Sequence, residues 1–208
     1  MESLPIPPDL DLDSYQAKTL QSLSRPFMLL TEELLRWNQV HNLSGHSSPD
    51  QVVVDLILDS LYLAPQVRGT RILDIGSGAG FPGLVLALAL PGTEVTLLEP
   101  RSKRVSFMQH AVRILELGTR VEVIKGRAEE SGLAKPDFDT VTVRAVGSLK
   151  LSLALAQPYL AKNGLILLPR GIKDQGQAEA LGLKVIPYDL PQPYGRRIIV
   201  LAPASCFT

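Results

Sequence analysis

The stretch from Arg71 to Gly83 constrains this chain most. It reads Arg71-Ile72-Leu73-Asp74-Ile75-Gly76-Ser77-Gly78-Ala79-Gly80-Phe81-Pro82-Gly83. A short apolar run ends in an acid and then breaks into four glycines, and an apolar helical pattern from Leu84 to Leu90 follows. That order predicts a strand, a tight turn and a helix start. Glycines there let the backbone take φ > 0 and approach a ligand closely. The helix N-terminus adds free N–H groups and a positive dipole end. Pro82 suits the first helical turn, where its missing N–H costs little.

Two cofactor classes use such a turn. Gly78-Ala79-Gly80-Phe81-Pro82-Gly83 formally matches the dinucleotide fingerprint G-x-G-x-x-G. That fingerprint cradles a pyrophosphate, which the carboxylate of Asp74 at the strand end would repel. The same carboxylate is favourable beside a sulfonium and an ammonium group. Acid-x-Gly-x-Gly-x-Gly therefore points to S-adenosylmethionine, with Asp74, Gly76, Gly78 and Gly80 as candidate cofactor residues.

From Arg71 onward strand and helix patterns alternate, which predicts a parallel sheet covered on both faces. Strands are expected at Glu94 to Leu98, Val121 to Ile124, Phe138 to Val143, Leu165 to Leu168 and Lys184 to Ile186. A last strand, Arg196 to Leu201, is open to an antiparallel placement. Helices are expected at Lys103 to Leu117, Ser148 to Leu160 and Lys173 to Ala180. Ahead of the sheet, Leu20, Leu23, Phe27, Leu30, Leu34 and Trp37 recur at helical spacing, with Pro26 as a break or kink. A further helix, Gln51 to Leu63, is capped by Asp50, and Met1 to Asp13 reads as irregular. The expected division is a helical extension over 1–68 and a catalytic domain over 69–208.

In an open parallel sheet, ligands sit beyond the carboxyl ends of the strands. Glu99 ends the second strand, 25 residues beyond Asp74, where a carboxylate can accept both ribose hydroxyls of an adenosine. Ala128-Glu129 follows the third strand; its backbone N–H and acid can hold adenine, although a Glu there also suits a helix start. Arg144 ends the fourth strand and could clamp a carboxylate or a phosphate.

Composition bounds the rest. The 208 residues are 45% hydrophobic with a mean hydropathy of +0.14, enough for a sizeable core. No apolar run reaches the ~18 residues of a membrane helix, and the start carries no secretory pattern. One cysteine, Cys206, excludes an internal disulfide, and three scattered histidines argue against a metal site. A reducing, cytoplasmic setting is expected. Net charge is zero, but residues 1–60 carry −6 and residues 61–208 carry +6. The basic body is compatible with a phosphate-rich partner or with an ordinary solvated surface. No Asn-Pro-Pro-Tyr type motif follows the fourth strand, which disfavours methylation of an exocyclic base amine. Cys206 lies far from every strand end, which disfavours cysteine-assisted C5 chemistry.

Together, Asp74 to Gly83, Glu99-Pro100 with Lys103-Arg104, Arg127-Ala128-Glu129 and Arg144-Ala145 resemble the GidB (RsmG) family. Trp37-Asn38, Asn42-Leu43, Leu58-Asp59-Ser60 and the Arg197-to-Leu201 strand extend the resemblance over nearly the whole chain. It implies a Rossmann-like class I S-adenosylmethionine-dependent methyltransferase fold, α/β, with an antiparallel last strand and an N-terminal helical extension. It implies methyl transfer to N7 of a guanine in small-subunit ribosomal RNA, by a monomer acting on the ribosomal subunit, with no membrane partner. It places Gly76, Phe81, Ala128, Glu129 and Arg144 against the cofactor. The chain departs from the family pattern at Leu56, often His, and at Arg170-Gly171, often Lys-Gly. Guanine N7 has a lone pair and no proton to lose, so no general base is expected and Arg144 serves to orient. Arg170, Arg196 and Arg197 are the expected RNA-phosphate contacts.

Overall fold

The computed structural model describes Leu4, residues 14–133 and residues 137–207. The expected irregular segment Met1 to Asp13 lies outside the described residues apart from Leu4, which is buried.

Helices come first. α1 (Ser14–Ser22) and α2 (Ser24–His41) bury Leu20, Phe27, Leu30 and Leu34 completely. Burying each such side chain contributes about 1.5–3 kcal/mol relative to exposure. The expected break is present as two helices: the pattern is interrupted at Leu23, and Pro26 falls in the first turn of α2. Asn42 ends α2 in the left-handed region at φ 47°. Asn38 then organises the following loop: its Oδ1 accepts from the N–H groups of Leu43 and Ser44, and its Nδ2 donates to the carbonyl of His46.

The next helical stretch runs over residues 49–61 in three pieces. α3 (Pro49–Val52) is capped by Ser48, whose hydroxyl accepts from the N–H of Gln51. The expected Asp50 cap thus shifts by two residues, because Pro49 suits the first helical position. A π-helical turn, Val53–Leu58, follows, and then α4 (Asp59–Leu61). Such π turns are frequent at functional sites.

The sheet has seven strands: β1 (Arg71–Ile75), β2 (Glu94–Glu99), β3 (Val121–Lys125), β4 (Phe138–Val143), β5 (Leu160–Gly171), β6 (Lys184–Leu190) and β7 (Gly195–Pro203). Their order is β3-β2-β1-β4-β5-β7-β6. β1 to β5 pair in parallel, and β7 inserts antiparallel between β5 and β6. β5 and β6 are longer than the apolar runs suggest: β7 pairs with β6 along its whole length and with β5 from Leu165 to Gly171, and the start of β5, at Leu160, pairs with Phe138 of β4.

Side-chain alternation assigns the faces. Ile72, Val95, Leu97, Leu165, Leu167 and Ile199 face one core, with the N-terminal helices, α5 (Gly83–Ala89) and α6 (Ser102–Ile114). Leu73, Ile75, Val141, Val143, Ile166 and Ile198 face the other, with α7 (Leu149–Ala156) and α8 (Gln175–Ala180). Among the described residues no helix is long and apolar enough to cross a membrane.

Candidate active site

Two cavities lie side by side beyond the carboxyl edge of the sheet. The first, of about 440 Å³, opens over β1, β2 and β3 and is lined by Gly76, Glu99, Arg101, Arg127, Ala128 and Glu129 among others. The second, of about 380 Å³, lies between the β4 and β5 ends and the residue 49–61 helix, lined by Asp55, Asp59, Arg144, Arg170, Asp174 and Arg197 among others. Ala145 lines both.

The glycine turn supplies the floor of the first cavity. Gly76 sits at φ +69°, and its N–H donates to the carbonyl of Leu98 at 2.8 Å. A Cβ there would lie 2.7 Å from the Val146 side chain. Gly78 donates its N–H to Glu99 Oε2 at 3.0 Å, and Arg101 donates its N–H to Glu99 Oε1 at 3.0 Å. Glu99 is therefore fixed, only 2% exposed, with Arg104 Nη1 3.9 Å away. Each carboxylate oxygen keeps lone-pair capacity for a further donor. Ala128 is buried and Glu129 exposed at the same rim, and the Ala128 carbonyl accepts from the Tyr159 hydroxyl.

Asp74 does not face this cavity. In β1 it shares a face with Ile72, so its side chain points beneath α5. It is fully buried; Oδ2 accepts from the N–H of Gly83 at 3.1 Å and Oδ1 from the Thr142 hydroxyl at 2.8 Å. The expectation of a direct Asp74 contact with a cationic ligand is thus corrected: the acid anchors the start of α5. Burial pushes its carboxyl up to about 6, against the hydrogen bonds from Thr142 and Gly83. Gly80 and Phe81 also lie behind the turn, both N–H groups donating to the Ser77 carbonyl. Phe81 is 4% exposed and belongs to the core, so neither residue lines the cavity.

Arg144 is corrected in the same way. At the end of β4 it continues the face of Thr140 and Thr142, toward the N-terminal helices. Its Nη2 donates to the carbonyl of Asp55 at 2.6 Å and lies 3.4 Å from Asp59 Oδ2. It therefore lines the second cavity, not the first. Arg197, on β7, reaches the same acids: Nη1 donates to Asp59 Oδ1 at 2.8 Å and Nη2 to Asp55 Oδ1. His46 Nε2 lies 2.6 Å from Asp55 Oδ2, and the Tyr188 hydroxyl donates to Asp59 Oδ1 at 2.7 Å. Burial raises the carboxyl of Asp55, but the bonds from His46 and Arg197 and the nearby guanidinium charges outweigh it and hold the group below its ordinary range.

The expected RNA contacts divide. Arg170 is 9% exposed, donating through Nη1 to the Gly147 carbonyl at 3.0 Å and through Nη2 to Ser152 Oγ. Burial lowers its pKa. Arg196 is exposed and forms a two-pronged pair with Asp189, its direct cross-strand partner, at 3.0 Å through both nitrogens. Arg197 is committed to Asp55 and Asp59. None of the three is a free surface cation, because each β-strand position carries its own acid or acceptor. Arg101 and Arg127, at the mouth of the first cavity, are exposed and form no ion pair with a described residue. Sequence reasoning passed over Asp55 and Asp174; the spacing of Asp55 and Asp59, four residues apart on one helical face, was the available signal for the first.

The family model for rRNA small subunit methyltransferase G, GidB, matches residues 24–186. The chain belongs to this family. The ribosomal RNA small subunit methyltransferase G of Methylobacillus flagellatus is 36% identical over 177 residues, covering 84% of this chain and 85% of its own. That of Actinobacillus succinogenes is 36% identical over 193 residues, covering 90% and 89%. A SAM-dependent methyltransferase from Aquifex aeolicus superposes with a TM-score of 0.56 at 17% identity, covering 74% of this chain and 94% of the other. The C-terminal domain of precorrin-6Y C5,15-methyltransferase from Rhodobacter capsulatus gives 0.55 at 20% identity, covering 70% and 88%. These neighbours establish the fold, that of class I S-adenosylmethionine-dependent methyltransferases. The GidB member described here is such an enzyme, with S-adenosylmethionine as its cofactor.

Proposed function

We propose that this chain transfers the methyl group of S-adenosylmethionine to N7 of a guanine in small-subunit ribosomal RNA, in the cytoplasm, as a monomer acting on the ribosomal subunit. The observation that carries the reading is the first cavity. A positive-φ glycine that no side chain can replace, a fixed carboxylate at the next strand end and a small residue with an acid at the third converge there in a GidB chain.

The residues fit an adenosine-bearing cofactor. Glu99 is placed to accept ribose hydroxyls, and Ala128 and Glu129 to hold adenine. Gly76 gives the backbone clearance for the remaining chain, while Gly78, Gly80 and Phe81 shape the turn and Asp74 anchors it. When bound, the cofactor supplies an electrophilic methyl on a sulfonium. The protein excludes water and holds the acceptor in line with that methyl. Guanine N7 needs no deprotonation, and Asp55 and Asp59 are already engaged by Arg197 rather than poised as bases. Arg144 spans the Asp55 carbonyl and the Asp59 carboxylate, which fixes the β4 end beside both cavities.

Two measurements test this reading. Titration with S-adenosylhomocysteine and with NAD should show binding of the first alone; tight NAD binding would restore the dinucleotide alternative. Labelled methyl from S-adenosylmethionine should pass to small ribosomal subunits. Cofactor binding without transfer would mean a protein that keeps the fold for another purpose.

A further inference from the structure

We propose that the second cavity is the pocket for the target guanine, and that Arg144, Arg170 and Asp174 read the base. This rests on the acceptor reading above and gives it a site. Three observations carry it.

The first is position. Ala145 forms a wall common to both cavities, so a base in the second lies next to a cofactor in the first. Ala145 holds φ +54°, a conformation that costs energy for a residue with a Cβ and that clusters where sites are built.

The second is unspent hydrogen-bonding capacity. Arg144 Nη1 and Arg170 Nε are buried and have no acceptor among the described residues. The other bonds of these side chains are made, to the Asp55 carbonyl, the Gly147 carbonyl and Ser152 Oγ. A buried N–H without an acceptor is costly, so two beside one cavity call for an acceptor atom on a ligand.

The third is Asp174. It lines the same cavity and is close enough for its charge to act on the Arg170 guanidinium, yet no hydrogen bond or ion pair to a described residue occupies its carboxylate. The cavity therefore offers two donors and an acceptor.

Guanine is the base that matches. Its O6 accepts, while N1–H and the 2-amino group donate. The guanidinium N–H groups take O6, and the Asp174 carboxylate takes the N1–H and 2-amino edge. A single arginine forking onto O6 and N7 together would cover the reacting lone pair. Here the two donors come from separate arginines, Arg144 just after β4 and Arg170 within β5, and N7 stays bare. Adenine inverts the pattern: its 6-amino group meets the donors and its N1 lone pair meets the carboxylate. A site built for one set of polar groups rejects a base that leaves them unpaired.

The test uses full-length wild type and Asp174→Ala, with small subunits rebuilt on transcripts carrying guanosine or inosine at the target. Inosine lacks only the 2-amino group. S-adenosylhomocysteine affinity and single-turnover methyl transfer are measured for each pair. The expected result is an S-adenosylhomocysteine affinity unchanged by Asp174→Ala. Transfer to guanosine slows by about 10- to 100-fold in the variant, the range for losing a charged hydrogen bond. Wild type slows on inosine, and the variant shows no further loss there. Equal rates for the two enzymes on guanosine, or the same inosine penalty in both, would overturn the pocket. Where the variant fails to fold, wild type on inosine decides alone, and the absence of a penalty overturns the proposal. If wild type moves no methyl to guanine N7 on either substrate, the acceptor reading itself fails and the pocket with it.

Discussion

Asp74 offers a direct test of how the glycine turn is held. Its carboxyl is fully buried, and burial lifts it from 3.8 to about 6. At about 1.36 kcal/mol per pH unit, that rise corresponds to about 3 kcal/mol. The sign follows from proton linkage. Below pH 3.8 the carboxyl is protonated in both the folded and unfolded chain, and its burial carries no charge. Between 3.8 and about 6 the folded chain holds the proton more tightly than the unfolded chain. Stability from this group is therefore present at low pH and is lost as pH rises through about 6. Asp74→Asn removes the titration and keeps the shape. The asparagine oxygen accepts from Gly83, and its amide donates to Thr142 Oγ1, whose hydroxyl still reaches the Leu73 carbonyl at 3.4 Å. Urea unfolding of both proteins from pH 4 to 7.5 measures the difference. Wild-type stability relative to Asp74→Asn should fall by about 2.5 kcal/mol across that range, most of it below pH 6.5. Parallel stability curves would show that Asp74 does not carry a buried charge at neutral pH, and the anchoring account would be wrong.

Other consequences are equally specific. Gly76→Val should abolish S-adenosylhomocysteine binding in a folded protein, since the new Cβ would lie 2.7 Å from Val146 and the φ of +69° is strained for valine; titration calorimetry at retained circular dichroism checks it. Arg197→Ala removes one of the partners of Asp59, which is 1% exposed, and leaves it Arg144 and Tyr188; it should destabilise by about 1.5–3 kcal/mol in denaturant titration. Arg196→Ala should leave the salt dependence of RNA binding unchanged, because that side chain is spent on Asp189. Arg127→Ala should flatten it by about one phosphate contact; filter binding across a salt series separates the two. Single-turnover methyl transfer with both substrates saturating should show no tenfold-per-unit ascending limb between about pH 6 and 8.

Much of the fold was legible because its signals are local. The glycine run, the alternation of strand and helix and the acid at the end of β2 each depend on residues close in sequence. Glu99 and Ala128-Glu129 arrive at the first cavity because parallel strands place all their carboxyl ends on one edge. What the sequence hid is the face a strand-end residue takes. Asp74 and Arg144 both stand at strand ends, yet alternation turns each to the other face of the sheet, Asp74 beneath α5 and Arg144 toward the residue 49–61 helix, rather than over the first cavity. Charge pairing was hidden for the same reason. Arg197 finds its acids 138 and 142 residues away in sequence, and Arg196 finds Asp189 only through the β6–β7 register. The π turn that carries Asp55 has no compositional mark, since Val53 to Leu58 reads as an ordinary apolar helix. The lengths of β5 and β6 were set by pairing with their neighbours, β7 for β6 and both β4 and β7 for β5, not by their own hydrophobic runs.

The central claim is methylation of guanine N7 in small-subunit ribosomal RNA, and one measurement bears on it most directly. A 7-methylguanine can be made to cleave its RNA chain chemically, so the modified position can be mapped. Small subunits are prepared from cells lacking this protein, then treated with S-adenosylmethionine and either wild type or Gly76→Val. One new cleavage site at a guanine is expected with wild type and none with the variant. An unchanged cleavage pattern with wild type, or a methyl found on any other atom, would contradict it.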